Sequence, residues 1–186
     1  MIKRIQSGPF NEIAELHKNH LPSFLQLYSK EFMCKFYENA LLYKENFLIG
    51  YFRNEELTAF ILGSRNASGL FSKTISNFFL FFLIETFKIF LKNPSIAFIL
   101  FNKIFNKNDI LDFQLVYIVV GKQMENKGVG SILLESFEKE MKNYSDEYEL
   151  EVEGDNTRAI HFYEKKKFRL IKVYGDGKRK YRKSIL

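Results

Sequence analysis

A glycine-containing loop over residues 121–130 is the first segment whose residue types could do chemistry. It follows a strand-like run over residues 113–120 and precedes an amphipathic helix pattern. Gly128 and Gly130 would let the backbone approach a ligand closely. The first N–H groups of the helix, together with its dipole, would favour negative charge. The pattern therefore predicts a phosphate-binding loop.

The loop differs from the two best-known nucleotide-binding loops. It lacks the third glycine of a dinucleotide fingerprint and the Gly-Lys-Ser/Thr of a triphosphate loop. Lys122 and Lys127 add mobile positive charge, but a Gly-x-Gly pair is also compatible with a simple tight turn. A second pattern is needed to choose between a binding loop and a turn.

That second pattern covers residues 150–168. An alternating strand over residues 148–152 is followed by Asn156, Ala159 and Tyr163, whose offsets of 0, 3 and 7 place them near one face of a helix. An Asn at this point can cap the helix or hold a ligand.

Together the two patterns resemble the GNAT superfamily of acyl-CoA-dependent N-acetyltransferases. That family carries a Gln/Arg-x-x-Gly-x-Gly/Ala loop after its fourth strand, then an apolar strand, Asn-x-x-Ala-x-x-x-Tyr and Gly-Phe. The match spans roughly residues 115–170. It departs from the family pattern at Glu125, where Arg or Gln is usual, at residues 121–122, where Asp-Pro is frequent, and at Lys167, where Gly is usual.

The resemblance implies that acetyl-CoA is the acyl donor and that no metal takes part. The pantetheine arm would lie on the backbone of the strand before the loop, and the pyrophosphate on the N–H groups of the loop. Asn156 would hold the cofactor arm or only cap its helix. The residues implied in cofactor binding are Ile118, Val119, Val120, Asn126, Lys127, Gly128, Val129, Gly130, Ser131, Asn156 and Tyr163.

The resemblance also implies that Tyr163 is the general acid, while a Tyr at this position could instead pack against the sheet. The general base stays open. Asp112, Glu151 and Glu153 are candidates, and each could equally be a solvated or structural carboxylate.

The remaining elements predict a mixed α/β (α+β) fold with one central sheet. The resemblance implies that this sheet is mixed, splayed and flanked by helices, in one GNAT-like domain over residues 1–186. The predicted strands are residues 2–5, 47–52, 57–62, 113–120, 148–152, 168–174 and 180–185. The predicted helices are residues 11–19, 29–42, 130–143 and 156–166. The basic run over residues 178–183 predicts a solvated edge strand, and His17 and His20 a surface pair at a helix end.

Residues 70–107 differ in composition from the rest of the chain. They hold 10 of the 21 Phe residues, and five Lys against one Glu give them a formal charge of +4. Asn93-Pro94 divides them into two helical segments. We therefore predict a Phe-rich helical hairpin inserted at about residues 69–107. It could be a lid or homodimer surface by the acceptor cleft, or a basic aromatic pair that contacts anionic membrane.

Composition limits the cellular context and the partners. The single Cys34 allows no disulfide within the chain and no cysteine zinc cluster, which favours the cytoplasm. The net charge is +6, but no basic run interleaved with aromatics indicates nucleic-acid binding. The longest apolar run, residues 78–84, is short of the roughly 20 residues that span a bilayer. The sequence predicts a cytoplasmic protein, with peripheral membrane contact left open.

The predicted function is transfer of an acetyl group from acetyl-CoA to a primary amine. By analogy of composition and of the early helix pair, the chain looks like bacterial GNAT proteins of surface-polysaccharide synthesis, which suggests an amino-sugar acceptor. Two alternatives remain. One is a peptide or protein N-acetyltransferase, and the other is a non-catalytic module that binds acyl-CoA.

Overall fold

The structure, a computed structural model, describes residues 1–96 and 113–185. Seven strands form one sheet in the order β1-β2-β3-β4-β5-β7-β6. All neighbouring strands are antiparallel except β4 and β5. The strands are β1 Ile2–Ile5, β2 Asn46–Arg53, β3 Glu56–Ser64, β4 Gln114–Val120, β5 Glu147–Val152, β6 Arg169–Val173 and β7 Arg179–Ser184. The predicted mixed α/β fold with one central sheet is confirmed.

Helices cover both faces of the sheet, and each face has its own apolar cluster. The helices are α1 Phe10–His20, α2 Lys30–Ala40, α3 Ala67–Ser76, α4 Phe79–Lys92, α5 Val129–Met141 and α6 Thr157–Lys165. The first four helices pack on one face and the last two on the other. Because both faces are covered, β2 and β3 are buried along almost their whole length, as their near-continuous apolar sequences require.

The two parallel strands separate almost at once. The only register pair between β4 and β5 joins Gln114 to Glu149. At the far end of β4, the Gly121 N–H donates to the Thr58 carbonyl of β3 at 2.9 Å. Backbone groups of successive residues point to opposite edges of a strand, so those of Ile118 and Val120 face the gap instead of β3. A widening gap therefore follows the edge of β4.

The helical insertion bends earlier than its sequence predicts. Asn93 does end α4, but α3 and α4 are already separated at residues 77–78, where their axes bend by 96°. The Phe residues continue through this break, so their spacing does not mark it. At the break, the Phe78 ring packs against Phe32 of α2 with ring centroids 5.3 Å apart. The predicted hairpin beyond residue 96 lies outside the described residues.

Among the described residues no single helix is long and apolar enough to span a membrane. The α3–α4 pair reaches that length and composition only as a bent unit.

The predicted edge strand at the C-terminus is wrong. Strand β7 lies between β5 and β6, so β6 is the edge. Lys180 and Tyr181 are 4% and 0% exposed. Lys180 can be buried because its ammonium lies 3.0 Å from a carboxylate oxygen of Glu149 on β5. Lys180 and Arg182 of β7 thus lie on one face, opposite Glu151 and Glu149 of the neighbouring strand.

The predicted surface histidine pair is half wrong. His20 is exposed, but His17 is completely buried. Its two ring nitrogens lie within hydrogen-bond distance of the Tyr37 and Ser23 hydroxyls. Burial lowers the pKa of His17 to about 3, so its imidazole is neutral in the folded protein.

Candidate active site

A cleft of about 690 Å³ occupies the gap between β4 and β5. This is within the usual size range of small-ligand sites. One side is formed by the glycine loop, the ends of both strands and α6. The other side is formed by the connection between α1 and α2 together with α3.

Most of the residues that the sequence implicates meet in this cleft. Those that line it are Ile118, Val120, Asn126, Gly128, Val129, Gly130, Ser131, Glu151, Glu153, Asn156 and Tyr163. Val119 and Lys127 do not. Val119 is only 2% exposed and packs with the cluster on the opposite face, because side chains alternate along a strand. Lys127 is exposed to solvent away from the cleft wall. Asp112 lies outside the described residues.

The glycine loop turns into α5 through a left-handed residue. Gly128 is the N-cap of α5, with φ 77° and ψ 0°. Glycine adopts this conformation without the steric cost that a Cβ brings. No atom lies within 4 Å of the position where a Cβ would stand, so this glycine is required by its backbone conformation and not by crowding.

The loop leaves several donors available for an anion. Four backbone N–H groups make no hydrogen bond to any described residue, those of Asn126, Gly128, Val129 and Gly130. The other two predicted donors are engaged, since Lys127 N–H donates to Met124 O at 3.4 Å and Ser131 N–H to Gly128 O at 3.0 Å. Four free donors beside a helix N-terminus fit a phosphate group.

Glu125 has a cationic partner that sequence reasoning missed. The Arg158 guanidinium on α6 donates to a Glu125 carboxylate oxygen at 2.6 Å and to the Asn126 side-chain oxygen at 3.4 Å. The carboxylate that stands where the family usually has Arg or Gln is therefore neutralised from the next helix. The sequence did contain a sign of this partner. A carboxylate within an anion-binding loop would repel the anion unless a cation lay nearby.

Asn156 fixes the start of α6. Its side-chain oxygen accepts the Ala159 N–H at 3.1 Å, so the capping role is shown. Asn156 also lines the cleft, which leaves its amide beside any ligand there.

The C-terminal end of α6 fixes Tyr163. Phe168 N–H donates to Tyr163 O at 3.1 Å and Lys167 N–H to Glu164 O at 3.0 Å, the two bonds of a Schellman motif. The Phe168 ring packs on the Tyr163 ring with centroids 5.3 Å apart. Lys167 takes the left-handed position with φ 67°, which costs about 1 kcal/mol relative to the Gly usual in the family.

The Tyr163 side chain is 5% exposed and forms part of the cleft wall. No described residue hydrogen-bonds to its hydroxyl. Burial raises the pKa of Tyr163 well above its ordinary value, because the phenolate would lose its hydration. The phenol therefore stays protonated at neutral pH, which is the state that a proton donor requires.

Two of the three candidate bases lie together. Lys178 Nζ is 3.7 Å from Glu151 and 3.6 Å from Glu153, and the Tyr174 hydroxyl donates to Glu151 at 2.8 Å. Both carboxylates thus have partners, although both also line the cleft.

The other side of the cleft is mainly apolar. Sequence reasoning offered the insertion that holds Phe71 as a surface by the acceptor cleft, but it did not identify the contribution of Phe24. Phe24, from the connection between α1 and α2, packs against Phe71 of α3 with ring centroids 5.1 Å apart. Pro22, Val116 and Tyr117 complete this wall. Its parts are distant in sequence, so no local motif marks them. Elsewhere in the described ranges, no group of three or more His, Cys, Asp or Glu is arranged to hold a metal.

Comparison with known proteins agrees with this architecture. The model of the acetyltransferase (GNAT) family matches residues 13–168. The chain therefore belongs to the GNAT acetyltransferase family. No curated protein matches it in sequence.

Solved structures share the fold at low sequence identity. The PaiA N-acetyltransferase of Thermoplasma acidophilum, in complex with coenzyme A, is 14% identical with a TM-score of 0.62 over 99% of both chains. An aminoglycoside 6'-acetyltransferase type Ii is 14% identical with a TM-score of 0.66, over 100% of this chain and 97% of that one. The ribosomal-protein-S18-alanine N-acetyltransferase of Escherichia coli is 17% identical with a TM-score of 0.56, over 100% and 94%.

Proposed function

We propose that this protein transfers an acetyl group from acetyl-CoA to a primary amine. One observation carries the proposal. A single cleft runs from four unpaired N–H groups at the start of α5, along the free edge of β4, to the buried phenol of Tyr163. Such a cleft provides an anion site, a backbone edge for an amide-containing arm and a proton donor, in that order.

Each part has one task in the reaction. The loop N–H groups would hold the pyrophosphate, and the backbone of Ile118 and Val120 would hydrogen-bond the pantetheine arm. The amine nitrogen then attacks the thioester carbon, the C–N bond forms, and the C–S bond breaks with its electron pair on sulfur. Tyr163 donates its proton to that sulfur. The proton released from the amine goes to a base, for which Glu151, Glu153 and Asp112 remain the candidates.

We further propose that the acceptor is a small amine, with an amino sugar as the first class to test. The apolar wall formed by Phe24 and Phe71 suits a compact acceptor body, and Glu151 and Glu153 lie where an ammonium group could approach. A peptide acceptor is the second candidate, since the similar structures include an enzyme named for a ribosomal protein.

We also propose that the whole chain is one domain. We propose that it acts in the cytoplasm, since Cys34 is the only cysteine.

A direct assay tests the proposal. Purified protein with acetyl-CoA should release free thiol in the presence of at least one acceptor among amino sugars, polyamines and peptides, with the acetylated amine seen by mass spectrometry. Acetyl-CoA binding without turnover on any amine would instead support the non-catalytic module.

Arg158 provides a test of the loop chemistry. Replacing Arg158 by Ala should weaken acetyl-CoA binding by about fivefold, because exposed ion pairs are worth up to about 1 kcal/mol and the Glu125 carboxylate would then face the phosphates unpaired. The Arg158→Ala/Glu125→Gln double variant should recover most of the affinity by calorimetry. Arg169→Ala, a change of an exposed arginine on β6, is the matched control. No recovery in the double variant would mean that Arg158 contacts the phosphates itself.

A further inference from the structure

Helix α4 carries an apolar face that the described residues leave uncovered. Seven large apolar side chains on this helix of 14 residues are between 40% and 72% exposed. They recur at helical spacing along one side of α4. They are Phe79, Leu80, Leu83, Ile84, Phe87, Phe90 and Leu91. We call this surface the α4 face.

The opposite side of α4 is firmly held by α2. Phe82 is fully buried, with its ring centroid 6.2 Å from that of Tyr28 and 6.3 Å from that of Phe32. Glu85 is 5% exposed and accepts the Ser29 N–H at 3.1 Å. These contacts fix the orientation of α4. The α4 face is therefore exposed because the opposite side of the helix is packed, and not because the helix is frayed.

The exposed charges that α3 and α4 themselves carry have one sign. In residues 66–96 the only carboxylate is the buried Glu85, whereas Lys73, Lys88 and Lys92 are exposed. Residues 97–107 repeat the same composition, with three Phe and two Lys and no acid. Lys73 is paired with Glu45 at 2.9 Å, so Lys88 and Lys92 are the cations that α4 itself adds beside its apolar face. An apolar helix face with lysines at its edge is complementary to a bilayer with anionic headgroups.

The dimensions of the α4 face suit a helix that lies along a membrane surface, and its lysines make a bilayer the occupant that we test. Seven half-exposed side chains offer roughly 600 Å² of apolar surface, at the upper limit for a monomer. A stable dimer buries about 800 Å² of total surface on each partner, of which roughly 500 Å² is apolar, so area alone does not separate a bilayer from a second copy of the chain. A helix of 14 residues is about 21 Å long, shorter than the roughly 30 Å hydrocarbon core, so it would lie along the surface.

The geometry points to the α4 face as a docking surface for anionic membrane. Docking of this surface on a membrane would not require the proposed acetyl transfer. Because α3 contributes Ala67 and Phe71 to the cleft and joins α4 through residues 77–78, attachment would hold the cleft close to the bilayer.

Vesicle co-sedimentation of the full chain tests this surface. The protein should pellet with phosphatidylcholine vesicles that contain about one quarter phosphatidylglycerol, and binding should weaken at about 0.5 M salt. Replacing Leu83, Phe87 and Leu91 together by Gln should lower the partition coefficient by about 100-fold. These side chains are exposed, so the variant should keep its circular dichroism spectrum.

The matched control replaces Leu170, Ile171 and Val173 by Thr, since these are three exposed apolar residues on the edge strand β6. It should leave vesicle binding unchanged. The proposal is overturned if the unmodified protein stays in the supernatant at low salt, or if control and α4 variants lose binding equally. Dimerisation in solution that the α4 variant abolishes, with no vesicle binding, would also overturn it and assign the face to a second copy. Equal binding to pure phosphatidylcholine would refute the requirement for anionic lipid.

Discussion

Replacing Gly130 by Asp is expected to abolish acetyl-CoA binding while the protein stays folded. Gly130 is the second residue of α5, its N–H is one of the four unpaired donors, and it lines the cleft. A carboxylate at this point would occupy the space of the pyrophosphate and repel its charge. Calorimetry should detect no acetyl-CoA binding by the variant, whereas we expect the unmodified protein to bind acetyl-CoA.

The control for this variant is Gly130→Ala. A Cβ at Gly130 would stand 3.6 Å from the Phe162 ring and 3.8 Å from Val120, both ordinary contact distances. Gly130 does not have positive φ, so Ala introduces no backbone strain. The Ala variant should therefore keep most of the affinity. Unchanged affinity in Gly130→Asp would show that the phosphates bind elsewhere.

Replacing Tyr163 by Phe is expected to lower turnover by about 10- to 10⁴-fold, the usual range for a general acid. Cofactor affinity should change little. The hydroxyl has no hydrogen bond to any described residue, so its loss should not disturb the packing of the ring against Phe168. Because burial raises the pKa of Tyr163, the unmodified enzyme should not lose this acid until the pH exceeds the usual tyrosine range.

Tyr148→Phe is the matched control for the acid. Tyr148 is a buried tyrosine of β5 that donates to Glu138 at 2.7 Å and does not line the cleft. Its loss should reduce the free energy of unfolding by about 1 kcal/mol and leave turnover unchanged. Equal turnover in Tyr163→Phe and the unmodified protein would show that solvent protonates the thiolate or that chemistry does not limit the rate.

The family and the outline of the cleft could be predicted from sequence because both depend on local backbone patterns. A glycine at the N-cap of α5 and an asparagine at that of α6 act within a few residues of their own position. Side-chain alternation along β4 and β5 is equally local. These features lie in two short segments, so their spacing is visible in a single chain.

Partners from distant segments could not be predicted in the same way. The guanidinium of Arg158 meets Glu125 across 33 positions, and His17 meets Tyr37 across 20. The apolar wall of Phe24 and Phe71 likewise joins two separate helical segments. Each of these contacts depends on how helices cross the sheet, which no local pattern records.

The sequence by itself therefore determined most of the strands and helices, the glycine loop and the position of Tyr163 on α6, because propensity, capping and periodicity are properties of neighbouring residues. Only the tertiary structure placed β7 inside the sheet and buried His17. It also bent the insertion at residues 77–78 and turned one side of α4 outward. The physical reason is that burial and charge pairing are decided by which surfaces meet, and a residue's own neighbours do not fix that.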